Sequence, residues 1–315
     1  MCISIVIPST GKRVGILIDT INSALASLGS VSGEVIVVKN KSKVINIIDS
    51  RLKLIDVDFN NVSASRNLGA KLAANDLLCF IDDDMLLSVA NIRRFQMVEA
   101  NTFVPYVVSA VWEHSPRVQE LKETTFLGYM LGKQLPNDSF KTRYEAASIV
   151  EDWQDEAVFQ SAMTTMFWEA CFSMRRVDYL RIGGMNEQFD FGSEGVDFLK
   201  RILGAKISYF VDPTNVLLHN EWDKFNDWQI PEQRWRIEAK LVNEGKNRLA
   251  PSNRNYCYKL FYGVTVYAFL EPLRDLLSKA SSKRQSSSLY FRLFNVYSTA
   301  IYWHEIRWNT IRQTL

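Results

Sequence analysis

Three adjacent carboxylates, Asp82, Asp83 and Asp84, close the apolar run in LLCFIDDDMLL. Acids this close repel one another, and the crowding is relieved only by a cation or by donors on a ligand. An Asp-x-Asp at a strand end offers two hard oxygen ligands from one short segment. Magnesium keeps one or two protein carboxylates and takes its remaining ligands from phosphate and water, so the cluster suits a metal held partly by a diphosphate. Further along, Glu194 and Asp197 fall three apart in GSEGVDFLKRILG, in the first turn of an expected helix with Ser193 as its N-cap. Acids in that turn are also favoured simply by the helix dipole. VLLHNEWD carries His219, one of only three histidines in the chain.

These residues need elements to hold them. ISIVIP, residues 3–8, reads as a buried strand ended by proline. Ile16, Leu17, Ile21, Ala24, Leu25 and Leu28 recur at helical spacing. GEVIVVKN is a second strand and LKLIDV a third. NVSASRNLGAKLAAND leads from a polar loop into a helix that starts near Ser63 or Ser65, and LLCFIDDD is the next strand. VPYVVSAVW, EACFSMRR and ISYFVDP read as strands, and VDYLRIGGMNEQF as a helical turn broken by Gly183-Gly184. Strands alternating with helices imply an α/β fold with a parallel sheet covered on both faces. Ligands in such sheets bind beyond the carboxyl ends of the strands, where Asp82–Asp84 fall. Residues 113–165 show no clear periodicity, and SSKRQSSS separates two aromatic-rich helical segments near the end.

The composition is that of an ordinary globular protein, 47% apolar and 23% charged, and no uncharged run is long enough to span a bilayer. MCISIVIPST reads as a first strand rather than a leader. Cys2, Cys79, Cys171 and Cys257 are scattered among apolar residues, which fits reduced thiols in a cytoplasmic protein and no zinc site. The net charge of +2 is uneven. Residues 246–315 hold 11 Lys and Arg against 3 Asp and Glu, +8, with many Tyr, Phe and Trp. That asymmetry points to an anionic partner, a membrane surface or a nucleic acid, or else to a helical cap whose aromatics form their own core.

The ordered run IVIPST, SASRNLGA, FIDDD, FSMRRVDYLRIGGMNEQF, GSEGVDFLKRILGAKI and VLLHNE resembles the family 2 glycosyltransferases of the GT-A fold and their relatives among sugar-polymer synthases. Those proteins carry, in this order, a first strand ending in proline, an ARN-G segment, a FLDxD motif, a GGFDE-F turn, a GEDxDLxxR helix and a downstream histidine. The resemblance covers residues 3–221. It implies a GT-A domain over 1–245, with a donor-binding half over 1–112 and an acceptor half over 113–245; it does not extend to the basic aromatic helical region read over 246–315. It implies a divalent metal, Mn2+ or Mg2+, at Asp82, Asp84 and His219. The donor would be a nucleotide-diphosphate sugar, UDP-linked by preference, contacted by Pro8, Asn40, Arg66, Asn67, Asp82 and Asp83. The acceptor would be a glycan or lipid-linked glycan in surface-polysaccharide assembly. No nucleic-acid partner is implied. Attachment to the inner membrane face and a homo-oligomer are both compatible with it.

Two positions depart from that pattern. Lys39 and Asn40 stand where members often have an Asp that reads uracil. Gly195 stands where the helix usually has the Asp that deprotonates the acceptor, which leaves Glu194 as the expected base and Asp197 as the reserve. An inverting outcome is favoured over a retaining one. The rival readings are a non-catalytic GT-A scaffold that lost its base and, from IPSTGKRVG, a sugar nucleotidyltransferase with a sparse phosphate loop.

Overall fold

The computed structural model describes residues 2–40, 45–134, 167–188, 194–225, 227–229, 232, 233, 236, 270–278, 292–301 and 304. The chain divides into two units, one formed by Met1–Ser115 and Asp138–Asn220, the other by Pro116–Asn137 and Glu221–Leu315. The expected boundary near 245 lies outside the described residues.

The first unit is built on one eight-stranded sheet. Its strands are β1 (Ile3–Ser9), β2 (Gly33–Asn40), β3 (Leu52–Val57), β4 (Leu77–Ile81), β5 (Met85–Leu86), β6 (Tyr106–His114), β7 (Cys171–Arg175) and β8 (Ser208–His219). Their order is β3-β2-β1-β4-β7-β6-β8-β5. β3, β2, β1 and β4 are mutually parallel, as are β6 and β8. β7 runs antiparallel to both β4 and β6, and β5 antiparallel to β8. The sheet is therefore mostly parallel but mixed. The antiparallel β7 starts at the carboxyl end of β4, with Cys171 opposite Ile81, so the residues just before it arrive beside the three aspartates.

Each central strand is apolar on both faces because both faces are covered. Ile3, Ile5 and Ile7 pack with Val35 and Val37, Leu77, Cys79 and Ile81 against helices α1 (Val14–Leu28) and α3 (Val89–Asn101). The alternate residues Val6, Ile36, Val38, Leu78 and Phe80 face the helices α2 (Val62–Leu72), α6 (Arg176–Arg181) and α7 (Glu194–Gly204) through Ala70, Tyr179, Phe198 and Ile202. Phe80 stacks on Phe172 at 4.6 Å between ring centroids.

Several expected boundaries move. The N-cap of α2 is Asn61, whose side chain accepts from the Ala64 N–H at 2.8 Å; Ser63 and Ser65 are buried inside the helix. β4 ends at Ile81, so the aspartates follow the strand rather than close it. β7 begins at Cys171, which leaves Glu169 and Ala170 in a turn ahead of it. ISYFVDP and VLLHNEWD join into the single long β8, whose register with β6 shifts between Ala110 and Val111. Helix α3, absent from the sequence reading, is set by a Ser88/Asn91 capping box. Gly183 and Gly184 end α6 at φ +79° and +68°, as the paired glycines suggested. Ser193 lies outside the described residues.

The second unit has its own core. Helices α4 (Pro116–Thr124) and α5 (Phe126–Gln134), the 3-10 turn Trp222–Phe225, helix α8 (Leu270–Ser278) and the helical residues 292–301 bury Val118, Phe126, Met130, Phe225, Leu277, Phe294 and Tyr297. Two of the aromatics counted toward a membrane surface, Phe294 and Tyr297, are thus buried in protein. Among the described residues no helix is long and apolar enough to cross a membrane.

Candidate active site

The site lies beyond the carboxyl ends of β1 and β4. Strand β4 is buried along its length, so the turn after Ile81 presents Asp82, Asp83 and Asp84 in three directions. Asp82 accepts from Arg66 of α2 at 2.6 Å, and its N–H donates to the Ala170 carbonyl at 2.9 Å. Asp83 accepts from Ser9 Oγ at 2.5 Å, and its carbonyl accepts from Thr20 Oγ1 at 2.9 Å. Asp84 Oδ2 meets Arg13 Nη1 at 2.9 Å and His219 Nε2 at 3.2 Å. The Asn220 N–H closes this corner on the Asp84 carbonyl at 2.7 Å.

One segment thus places three acids in three electrostatic settings. Burial works against a charge on Asp84, but His219 and then Arg13 hold its carboxyl well below the usual carboxylate range. Burial and the neighbouring Asp84 push Asp83 up to about 7. Burial also raises Asp82, against the pull of Arg66.

Asp84 and His219 direct a carboxylate oxygen and an imidazole nitrogen at one spot, and the Arg13 guanidinium already places positive charge there. That donor set fits a hard or borderline divalent cation. His114, beside His219 on the paired ends of β6 and β8, brings a ring nitrogen within 4.8 Å of one of His219, and its ring lies nearly parallel to that of His219 with centroids 6.1 Å apart. Trp112 packs edge-on against His219 at 4.6 Å.

The other expected residues fall into two groups. Pro8 is buried in β1 opposite Val38, and Asn40 ends β2 with its amide on the Phe59 carbonyl at 3.2 Å. Lys39 is buried and pairs with Asp56 of β3, whose side chain is half exposed. Arg66 is only 1% exposed. Asn67 is fully used within the protein. It donates to the Met185 carbonyl and Glu187 Oε1 and accepts from the Met185 N–H and the Tyr179 hydroxyl, all at 2.7 or 2.8 Å. It clamps the turn after α6, beside a cleft of about 370 Å³ lined by Asn67, Gly183, Met185, Asn186, Glu187 and Arg201. Glu194 is buried at the head of α7. Asp197 accepts from Arg201 at 2.8 Å, and Arg201 also donates to the Ile182 and Gly184 carbonyls.

Four neighbours of the site escaped the sequence reading: Ser9, Arg13, His114 and Glu169. Glu169 adds a carboxylate whose Oε2 lies 3.9 Å from Arg66 Nη1. The only sequence signal for it is an acid just ahead of an apolar strand, which is unremarkable until the turn places it.

Residues 4–138 match the profile of glycosyl transferase family 2. The match takes in the first six strands, the Arg66-Asn67 segment and the three aspartates; the GGMNEQF turn, α7 and His219 lie beyond it. The profile match and the mixed, helix-covered sheet agree with the expected GT-A fold. No curated protein matches the chain in sequence. Among solved structures, S. aureus TarS 1-349 is 14% identical over 100% of this chain and 92% of its own, with a TM-score of 0.46. A second S. aureus TarS structure is 13% identical over 96% of this chain and 55% of its own, with a TM-score of 0.45. A mutant of Drosophila β1,4-galactosyltransferase 7, in complex with manganese, UDP-Gal and xylobiose, is 13% identical over 69% of this chain and 70% of its own, with a TM-score of 0.39.

Proposed function

We propose that this chain is a family 2 glycosyltransferase that moves a sugar from a nucleotide-diphosphate donor to a hydroxyl of a glycan or lipid-linked glycan, with inversion, in surface-polysaccharide assembly. The observation that carries the reading is the corner formed by Asp84 and His219, where an acid held ionised and an imidazole converge beyond the parallel strands. A divalent cation held by Asp84 and His219, Mn2+ or Mg2+, would neutralise the diphosphate as it leaves.

The chain's own residues do the rest. Arg66 holds Asp82 toward the donor, as a contact for the ribose or as a further cation ligand. Pro8 and Asn40 border the base pocket, and Asp83, tied to Ser9, fixes the loop after β1 against the turn after β4. Lys39 displays Asp56 at the end of the neighbouring strand, which offers an acid for a uracil despite the lysine at position 39 and supports a UDP-linked donor. Asn67 and Arg201 hold the glycine turn rigid beside the donor. The acceptor proton goes to one of the carboxylates near the head of α7. Glu194 is the base expected from the sequence; Asp197, bound to Arg201, is better suited to bracing the turn.

The basic region 246–315 would hold the enzyme at an anionic membrane face. The reading is supported by the +8 charge of that region, because each Lys or Arg near an anionic leaflet contributes about 1 kcal/mol.

The test is nucleoside diphosphate release from UDP-, GDP-, dTDP- and CDP-sugars with and without Mn2+. Metal-dependent release of one nucleoside diphosphate is expected. Pyrophosphate release or consumption would instead identify a nucleotidyltransferase, and silence with every donor a scaffold.

A further inference from the structure

Gly195 leaves the head of α7 without the side chain that would follow Glu194, and another residue fills the space. A Cβ built on Gly195 would stand 2.9 Å from Glu169 Oε2 and 3.3 Å from Glu169 Cδ. The carboxylate missing from α7 is supplied from the turn ahead of β7.

Its backbone is pinned by four hydrogen bonds. The Trp168 N–H donates to the Tyr209 hydroxyl at 3.0 Å, and Ser109 Oγ donates to the Trp168 carbonyl at 2.9 Å. Arg66 donates to the Glu169 carbonyl at 3.2 Å, and the Asp82 N–H to the Ala170 carbonyl at 2.9 Å. The side chain is left unsatisfied by comparison. Glu169 Oε2 is buried with no hydrogen-bond partner among the described residues, and so is Oε2 of Glu194, a residue 6% exposed. Buried acceptors in folded proteins are nearly always hydrogen-bonded, so an open pair next to the donor corner calls for a ligand group that donates.

We propose that Glu169 is the general base of the transfer and that it replaces the aspartate absent at Gly195. The assignment rests on the glycosyltransferase reading above and sharpens it. In the step, the acceptor O–H bond breaks and its proton goes to the Glu169 carboxylate. The acceptor oxygen forms the bond to the anomeric carbon. The bond from that carbon to the diphosphate oxygen breaks, and its electron pair leaves with the nucleoside diphosphate. Arg66 of α2, Asp82 of the β4 turn and Glu194 of α7 are the charged groups that act on Glu169. Burial, with Glu194 and Asp82 opposing the pull of Arg66, pushes its carboxyl up to about 7, where a base is both available and strong enough to take a proton.

The experiment uses the full chain with Mn2+ and the UDP-sugar that the wild type turns over. Glu169→Gln should lower kcat on the order of 10²-fold or more, with the Kd for UDP and Mn2+ within about twofold of wild type. Glu169→Asp should retain more turnover than Glu169→Gln. The double variant Glu169→Ala/Gly195→Asp should regain at least roughly tenfold over Glu169→Ala, because the carboxylate returns from the other side of the same space. Wild-type turnover in Glu169→Gln would overturn the proposal. A kcat loss matched by an equal loss of UDP affinity would do the same, since it would mark a structural role. Turnover lost in Glu194→Gln and kept in Glu169→Gln would give the role to Glu194. A wild-type protein that releases no nucleoside diphosphate from any donor would refute the transferase reading itself, and the base assignment with it.

Discussion

His219 Nε2 lies 3.2 Å from Asp84 Oδ2, and the two are brought together by the pairing of β5 with β8, in which Met85 stands opposite His219. The contact joins the turn after β4 to the far end of the last strand. Asp84→Ala and His219→Ala should each weaken Mn2+-dependent binding of UDP about tenfold or more, because each removes one donor from a two-residue corner. Calorimetry with and without Mn2+ checks it; unchanged affinity in both variants would remove the metal from this corner.

Gly195→Ala separates stability from chemistry. Its new methyl group would meet the end of the flexible Glu169 side chain, which can swing away, and would touch Phe167 Cδ1 at 3.4 Å. The melting temperature should stay within a few degrees of wild type while turnover drops with the displaced carboxylate. A variant with full activity would show that the position of Glu169 is immaterial.

Gly184→Ala should behave in the opposite way. Gly184 holds φ +68°, and a Cβ there would stand 2.3 Å from Asn67 Oδ1. Left-handed strain of about 1–3 kcal/mol would add to the loss of the Asn67 clamp. Urea denaturation should show the loss, and Asn67→Ala should destabilise the same turn. A midpoint equal to wild type would contradict the packing described for this turn.

The raised carboxyl of Glu169 has a thermodynamic signature. A carboxyl whose folded pKa is raised to about 7 from its ordinary value of 4.5 binds its proton more tightly in the native state. Its contribution to stability is greatest below the unfolded value and declines as pH rises through the folded one. The melting temperature of wild type should therefore fall relative to that of Glu169→Gln between about pH 4.5 and pH 7 and run parallel to it above. Parallel curves across the whole range would mean that the carboxyl is not perturbed.

Residues 246–315 invite a direct membrane test. Full-length protein should co-sediment with vesicles containing anionic lipid, weaken with salt because the attraction is screened, and remain in the supernatant with neutral vesicles. Equal recovery in the supernatant with both lipids would leave the buried Phe294 and Tyr297 as the pattern for the whole region: a structural cap.

The sequence by itself determined the frame and where the acid triplet falls on it. Short, β-branched apolar runs such as ISIVIP and EVIVV read as strands buried on both faces, and an acid triplet after such a run falls at the sheet's carboxyl edge. The paired glycines at 183 and 184 required a turn, because few other residues tolerate two successive positive φ angles. Chemistry that depends on partners distant in sequence was not legible. Asp82–Asp84 read as three equal acids until Arg66, Ser9 and the Arg13–His219 pair arrived from other elements to distinguish them. Asn67 read as a donor contact until the fold spent its amide on Met185, Glu187 and Tyr179. Gly195 read as a lost catalytic group. Only the antiparallel entry of β7 beside β4, a pairing that no local propensity encodes, puts the Glu169 carboxylate into the space left by the glycine.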